Sequence, residues 1–209
     1  NQGLKKFNPS KLATYLQELF GDRLAGFIHT VNIDVADRAK LENGTSNLIY
    51  GKKVIVENIL DLDFEISMES FFQTNPASAE KLYNKVIEYV HYKNEMSNQV
   101  IMDLFCGTGT IGQLIASGIP SANVIGVDIV NSSIENAKKN ATENKLNNIL
   151  FFAEDAGKFI LNHPEYINKI GTIILDPPRA GIAPKTLRKV IRLEAKRIVY
   201  VSCNPSTQS

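Results

Sequence analysis

Five stretches of the 209-residue sequence set polar or reactive residues at the ends of apolar runs or beside them. "DLFCGTGTIG" (103–112) spaces Gly107, Gly109 and Gly112 as G-x-G-x-x-G directly after an apolar run. Glycines in that pattern permit a tight turn and let backbone approach a ligand closely. About 20 residues further on, "NVIGVDI" (123–129) delivers Asp128, a carboxylate that can accept both hydroxyls of a ribose. "ILFFAED" (149–155) ends in Glu154 and Asp155, where a carboxylate could accept from an adenine amine. "ILDPPRAG" (174–181) runs Asp176 into two prolines, which stiffen the backbone and remove two N–H donors. "YVSCNPST" (200–207) runs Cys203 into an Asn-Pro turn.

The glycine pattern alone would also suit a dinucleotide-dependent oxidoreductase. The acids after the second and third runs fit S-adenosylmethionine better than NAD. Amine-methylating enzymes typically place an aromatic residue after such a Pro-Pro pair to stack on the target base. Here Arg179 stands there, and a guanidinium suits a phosphate or a uracil carbonyl. Cys203 then has a chemical use. Uracil C5 is a poor nucleophile until a thiolate adds to C6 and makes C5 enolate-like. A strand-end thiol near Arg179 would have an enlarged thiolate fraction. A lone cysteine is more often a buried packing residue, and Cys106 inside the glycine turn reads that way. A Cys106–Cys203 disulfide is not expected. One intervening strand separates them by roughly 9–10 Å, beyond the ~7 Å limit for bridged α-carbons.

The elements that must hold these residues alternate along the chain. Residues 79–92 read as a helix. Strands follow at 99–105, 123–129, 149–155, 171–176 and 197–202, with helices at 110–117, 132–145, 156–162 and from about 184. Five strands alternating with helices predict a doubly wound parallel sheet, in the order 3-2-1-4-5, binding its ligand beyond the strands' carboxyl ends. Asp176 and Cys203 would end neighbouring strands. Residues 1–70 differ: a helix over 9–20 stopped by Gly21, then strand-like runs at 25–35, 47–51, 52–60 and 63–68, with "ENGTSN" and "YGKK" as turns. This predicts a small α+β annex (1–70) before a catalytic domain (71–209).

Composition narrows the class. The sequence is 44% hydrophobic and 22% charged with a net charge of +1, values ordinary for a globular protein that neither demand nor exclude nucleic acid. No apolar run approaches the ~18 residues of a membrane helix. "NQGLKKFNPSKL" carries no signal-peptide apolar core. Two cysteines without such a signal suggest a reducing, cytoplasmic setting, and are too few for an all-thiolate zinc site. His29, His91 and His163 show no ligand spacing, so no metal is expected.

Taken with "FFQTN" (71–75) and "GVDIVNSSIENAKKNA" (126–141), these stretches resemble the catalytic domain of the RNA (uracil-5)-methyltransferases, in family order over about 140 residues. The resemblance implies a class I methyltransferase (Rossmann-like) fold and S-adenosylmethionine as cofactor. It implies a cofactor site at Gln73, Phe105, Thr110, Asp128, Asp155 and Asp176, with Cys203 as nucleophile. The expected activity is methyl transfer to C5 of a uridine in transfer or ribosomal RNA through a cysteine–C6 adduct. Cytosine-5 enzymes often carry a cysteine in the fourth-strand motif, where this sequence has Pro177 and Pro178. Family members carry a base, usually glutamate, some 30–40 residues beyond the nucleophile, and many have an N-terminal β-barrel. The sequence stops at Ser209 and shows no convincing barrel, so a C-terminally truncated sheet is expected. The alternative expectation is a cofactor- or RNA-binding fragment without turnover. The cations of "KTLRKVIRLEAKR" (185–197) could face phosphate or simply solvent.

Overall fold

The structure, a computed structural model, describes residues 7–31, 45–68, 70–91, 100–178 and 180–202. Two compact units divide the chain. The smaller comprises residues 1–56 and 65–69, the larger 57–64 and 70–209.

In the smaller unit, α1 (Pro9–Phe20) starts where the Asn8 side chain accepts from the Lys11 N–H at 3.1 Å, and ends where Gly21 adopts φ +53°. Strand β1 (Gly26–Val31) pairs antiparallel with β2 (Thr45–Gly51). The expected turn over "ENGTSN" is therefore corrected, since Thr45, Ser46 and Asn47 lie opposite Val31, Thr30 and His29. The Thr30 and Ser46 hydroxyls sit 2.8 Å apart, a cross-strand pair that holds polar residues in an exposed ladder. Strands β3 (Val54–Ile59) and β4 (Leu62–Ser67) form a hairpin. Its turn residues Leu60 and Asp61 both take positive φ, +48° and +66°, as a two-residue turn between twisted strands requires.

The hairpin tip belongs to the larger unit. Ile59, Leu62 and Phe64 are buried there. Asn144 holds the tip as a neighbouring strand would: its Oδ1 accepts from the Asp63 N–H at 3.1 Å and its Nδ2 donates to the Asp63 carbonyl at 2.8 Å. The Leu60 N–H reaches Glu80 at 3.3 Å.

The rest of the larger unit is the parallel sheet that the alternation predicts. Its strands are β5 (Val100–Leu104), β6 (Asn123–Asp128), β7 (Ile149–Ala153), β8 (Ile170–Leu175) and β9 (Arg197–Tyr200), in the order β7-β6-β5-β8-β9. Helices α2 (Pro76–His91), α3 (Thr110–Gly118), α4 (Asn131–Glu143), α5 (Ala156–Asn162) and α6 (Pro184–Ile191) complete it. Successive strand residues point to opposite faces, so the sheet feeds two cores. Ile101 and Ile174 pack with α2, α3 and α4 through Val86, Ile115 and Ile134. Met102, Leu104 and Ile173 pack with α5 and α6 through Phe159 and Val190. The connections run from β5 outward to β7 and return to β8 on the other side of β5. That reversal opens a crevice at the carboxyl ends of β5 and β8.

Candidate active site

The glycine turn leaves β5 in strain. Phe105 has φ +65°, a conformation that costs a residue with a side chain on the order of 1–3 kcal/mol. It is held there because the Phe105 and Cys106 N–H groups both donate to the Val127 carbonyl, at 2.9 and 3.2 Å. Gly107 and Gly109 follow at φ +54° and +73°. At Gly109 a side chain would also run into the ring of Phe151. Asp128, at the end of β6, closes the turn from the other side. One carboxylate oxygen accepts from the Gly107 N–H at 3.0 Å and the other from the Val130 N–H at 2.8 Å. Each oxygen keeps acceptor capacity for a ligand hydroxyl. Thr110 opens α3 and is buried, its hydroxyl 3.4 Å from that of Thr108.

Behind the turn lies a residue not singled out from sequence. Asp103 is 1% exposed on β5; one oxygen accepts from the Gly112 N–H in the first turn of α3 at 3.0 Å, and the other has no partner. Burial, then the charge of Asp176, pushes its carboxyl up to about 8. Burial raises Asp176 to about 6. Burial first, with these two aspartates, raises the Tyr83 phenol, and burial with Asp103 and Asp128 raises the Cys106 thiol well above its ordinary value. Cys106 is thus a poor nucleophile. Among the described residues no Lys, Arg or His pairs with Asp103, Asp128 or Asp176. The described side of the crevice therefore holds buried acidic groups without a cation, and it favours a cationic ligand. A pyrophosphate would meet the carboxylates of Asp128 and Asp176, and the helix N-terminus that usually receives it already holds Asp103. The arrangement fits a sulfonium cofactor and disfavours a dinucleotide. The one charged residue inside the apolar run "VIMDLF" was the sequence signal for Asp103.

On the β8 side, Asp176 and Gln73 line one cavity of about 370 Å³ with Val86, Tyr200 and Ser202. Gln73 is carried there by a segment pinned at both ends. Phe72 packs on Phe64 with ring centroids 6.0 Å apart, and Ser70 accepts from Asn136 of α4 at 2.9 Å. At the other end Asn75 caps α2, accepting from the Ser78 N–H at 3.1 Å. The two polar residues of "FFQTN" after Thr74 and before it therefore divide the work, Gln73 facing the cavity and Asn75 starting the helix.

The remaining expected site residues separate. One oxygen of Asp155 accepts from the Lys158 N–H at 2.9 Å and caps α5, which leaves the other oxygen for a ligand. Glu154 is engaged by Asn162 and His163. His163 stacks on Phe159 with centroids 4.2 Å apart and bonds Glu165 at 3.0 Å, a structural role. Cys203 and Arg179 lie outside the described residues; Ser202, which precedes Cys203 in sequence, lines the cavity with Asp176. Among the described residues no cluster of His, Cys, Asp and Glu is arranged to hold a metal, and no helix is long and apolar enough to cross a membrane.

Comparison with known proteins agrees with this geometry. A family model described as a methyltransferase domain matches residues 95–209. An uncharacterized RNA methyltransferase of Clostridium acetobutylicum is 41% identical over 202 residues, covering 96% of this chain and 42% of the relative. One from Clostridium tetani is 43% identical over 185 residues, covering 88% and 38%. The chain thus spans about two-fifths of the length of the curated relatives it matches. Among solved structures, the tRNA (uracil-54, C5)-methyltransferase of Pyrococcus abyssi in complex with S-adenosyl-L-homocysteine superposes with a TM-score of 0.70 at 31% identity, over 88% of this chain and 43% of that one. With the family model matching more than half of its length and the sheet order of a class I methyltransferase, the chain belongs to the methyltransferase-domain family.

Proposed function

We propose that this chain is the cofactor-binding and nucleophile-bearing part of an S-adenosylmethionine-dependent RNA methyltransferase that acts on C5 of a uridine. The observation that carries the cofactor reading is the desolvated crevice between β5 and β8, with a partnerless buried oxygen on Asp103 and, among the described residues, no cationic side chain paired with Asp103, Asp128 or Asp176. The relatives named as RNA methyltransferases and the uracil-C5 enzyme of Pyrococcus abyssi support the substrate class.

In this reading Asp128 takes the ribose hydroxyls while its bonds to Gly107 and Val130 fix the carboxylate plane. Phe105 and Thr110 border the turn, the free oxygen of Asp155 serves the adenine amine, and Gln73 and Asp176 close the β8 side. With its carboxyl near 6, Asp176 is mostly ionised at neutral pH and opposes a cation. When bound, S-adenosylmethionine supplies a methyl group on a positively charged sulfur. The Cys203 thiolate forms a bond to uracil C6, and the displaced π electrons make C5 nucleophilic. After C5 is methylated, a base removes the C5 proton, the C5=C6 bond re-forms, and the C6–S bond breaks to return the thiolate. The target uridine has to leave its stack to reach the crevice, at a cost of a few kcal/mol.

The test is product analysis. The full-length protein is incubated with RNA and S-adenosylmethionine labelled in the methyl group, and the RNA is digested to nucleosides. Label in 5-methyluridine is expected. Label in 5-methylcytidine or in an N-methylated base would overturn the reading.

A further inference from the structure

Charge is segregated along this sequence. Residues 177–209 carry seven Lys or Arg against one acid, Glu194, a net +6, whereas residues 1–176 carry 16 Lys or Arg against 21 Asp or Glu, a net −5. The overall +1 conceals this division. The structure then sorts the cations. Lys189 is spent on the Gly157 carbonyl at 2.7 Å, where it ties α6 to α5, and Arg197 donates to the Val90 carbonyl at 2.7 Å. Lys185, Arg188 and Arg192 are exposed and pair with no carboxylate among the described residues. At about 100° per residue these three fall within a stripe roughly 60° wide, turned away from Val190, which α6 buries.

We propose that this stripe of α6 is a track for the phosphate backbone of RNA, a proposal that rests on the RNA methyltransferase reading. Position favours it as much as charge. Helix α6 follows β8, so its first turn, with Lys185, stands at the strand end that carries Asp176. The stripe begins in the first turn of α6 and runs about 10 Å along the helix, long enough for three cations to meet separate phosphates of one strand. The rest of the chain, net negative, repels a polyanion, so a strand brought to the crevice is guided along this one face.

The experiment compares the full-length protein with the triple variant Lys185→Ala/Arg188→Ala/Arg192→Ala, titrating bulk transfer RNA, a short oligouridylate and duplex DNA over a range of salt. Losing three phosphate contacts should make log K against log[salt] less steep by about 2 for single-stranded RNA. S-adenosylhomocysteine affinity should be unchanged in the same variant. Lys189→Ala should lower thermal stability and leave the salt slope alone, because its ammonium already serves the Gly157 carbonyl. Wild-type binding to RNA with an unaltered slope in the triple variant overturns this inference and leaves the methyltransferase reading standing. Absence of RNA binding by the wild type overturns both. Equal affinity and equal loss on duplex DNA overturns the assignment to RNA.

Discussion

Replacing Asp103 with asparagine separates charge from shape at the floor of the crevice. The asparagine carbonyl can still accept from the Gly112 N–H, and its amide replaces the partnerless oxygen. The native carboxyl is raised from 3.8 to about 8, so between those values the folded chain keeps a proton that the unfolded chain has released. Native stability therefore falls as pH rises through this window, by up to about 1.4 kcal/mol per pH unit, or about 3 kcal/mol from pH 5 to pH 7. The groups facing Asp103 are Asp176, Asp128, Tyr83 and Cys106. Asp176, raised to about 6, adds its own decline below that pH and remains in the variant. Urea unfolding across the pH range should show the wild type losing stability between about pH 6 and pH 8 while Asp103→Asn stays nearly flat, so that the variant gains on the wild type as pH rises. Binding of S-adenosylhomocysteine, whose ammonium favours the ionised carboxyl, should release a proton from the wild type and fewer from the variant, read by calorimetry in buffers of different ionisation heat. Parallel pH curves for the two proteins would refute the raised carboxyl and the cation-seeking crevice built on it.

Two further substitutions probe the turn. Gly109→Ala combines a φ of +73° with a methyl driven into Phe151, and should lower stability by several kcal/mol; Gly118→Ala, at the end of α3 with open space around it, should be neutral or stabilising by up to about 1 kcal/mol, and equal thermal shifts for the pair would contradict the argument. Asp128→Asn can accept only one of the two N–H bonds from Gly107 and Val130 and turns an amide toward the other, so S-adenosylhomocysteine affinity should fall by roughly 10–100-fold in calorimetric titration, at about 1.5–3 kcal/mol per bond to a charged group; unaltered affinity would remove Asp128 from the site.

The sheet was legible because each strand is a short apolar run closed by a turn residue, and parallel strands buried on both faces demand that pattern. The crevice residues Asp128 and Asp176 were legible for a related reason, standing where apolar runs stop. Asp103 was harder to see. Its role arises from being buried behind α3 with Asp176 nearby, and no local spacing encodes that proximity. Asp155 shows the converse, a residue expected to accept from a ligand that the structure shows capping its own helix. The start of β2 was misread because Thr45–Asn47 have turn composition, while their partners on β1 come from residues 29–31 across a long connection. Phe105 was expected at the site from resemblance; its positive φ comes from two hydrogen bonds to Val127 on the neighbouring strand.

The central claim is that Cys203 adds to uracil C6 within a cofactor crevice formed by Gln73, Asp128 and Asp176. RNA containing 5-fluorouridine tests it most directly, because a base can remove a proton from C5 but not fluorine, so the adduct is trapped. Incubated with S-adenosylmethionine, the full-length protein should yield a denaturation-resistant complex. Peptide mass spectrometry should place the methylated nucleotide on Cys203, and Cys203→Ala should abolish the complex while Cys106→Ala retains it. A trapped complex that survives Cys203→Ala, or methylation of uridine C5 by that variant, would contradict the account.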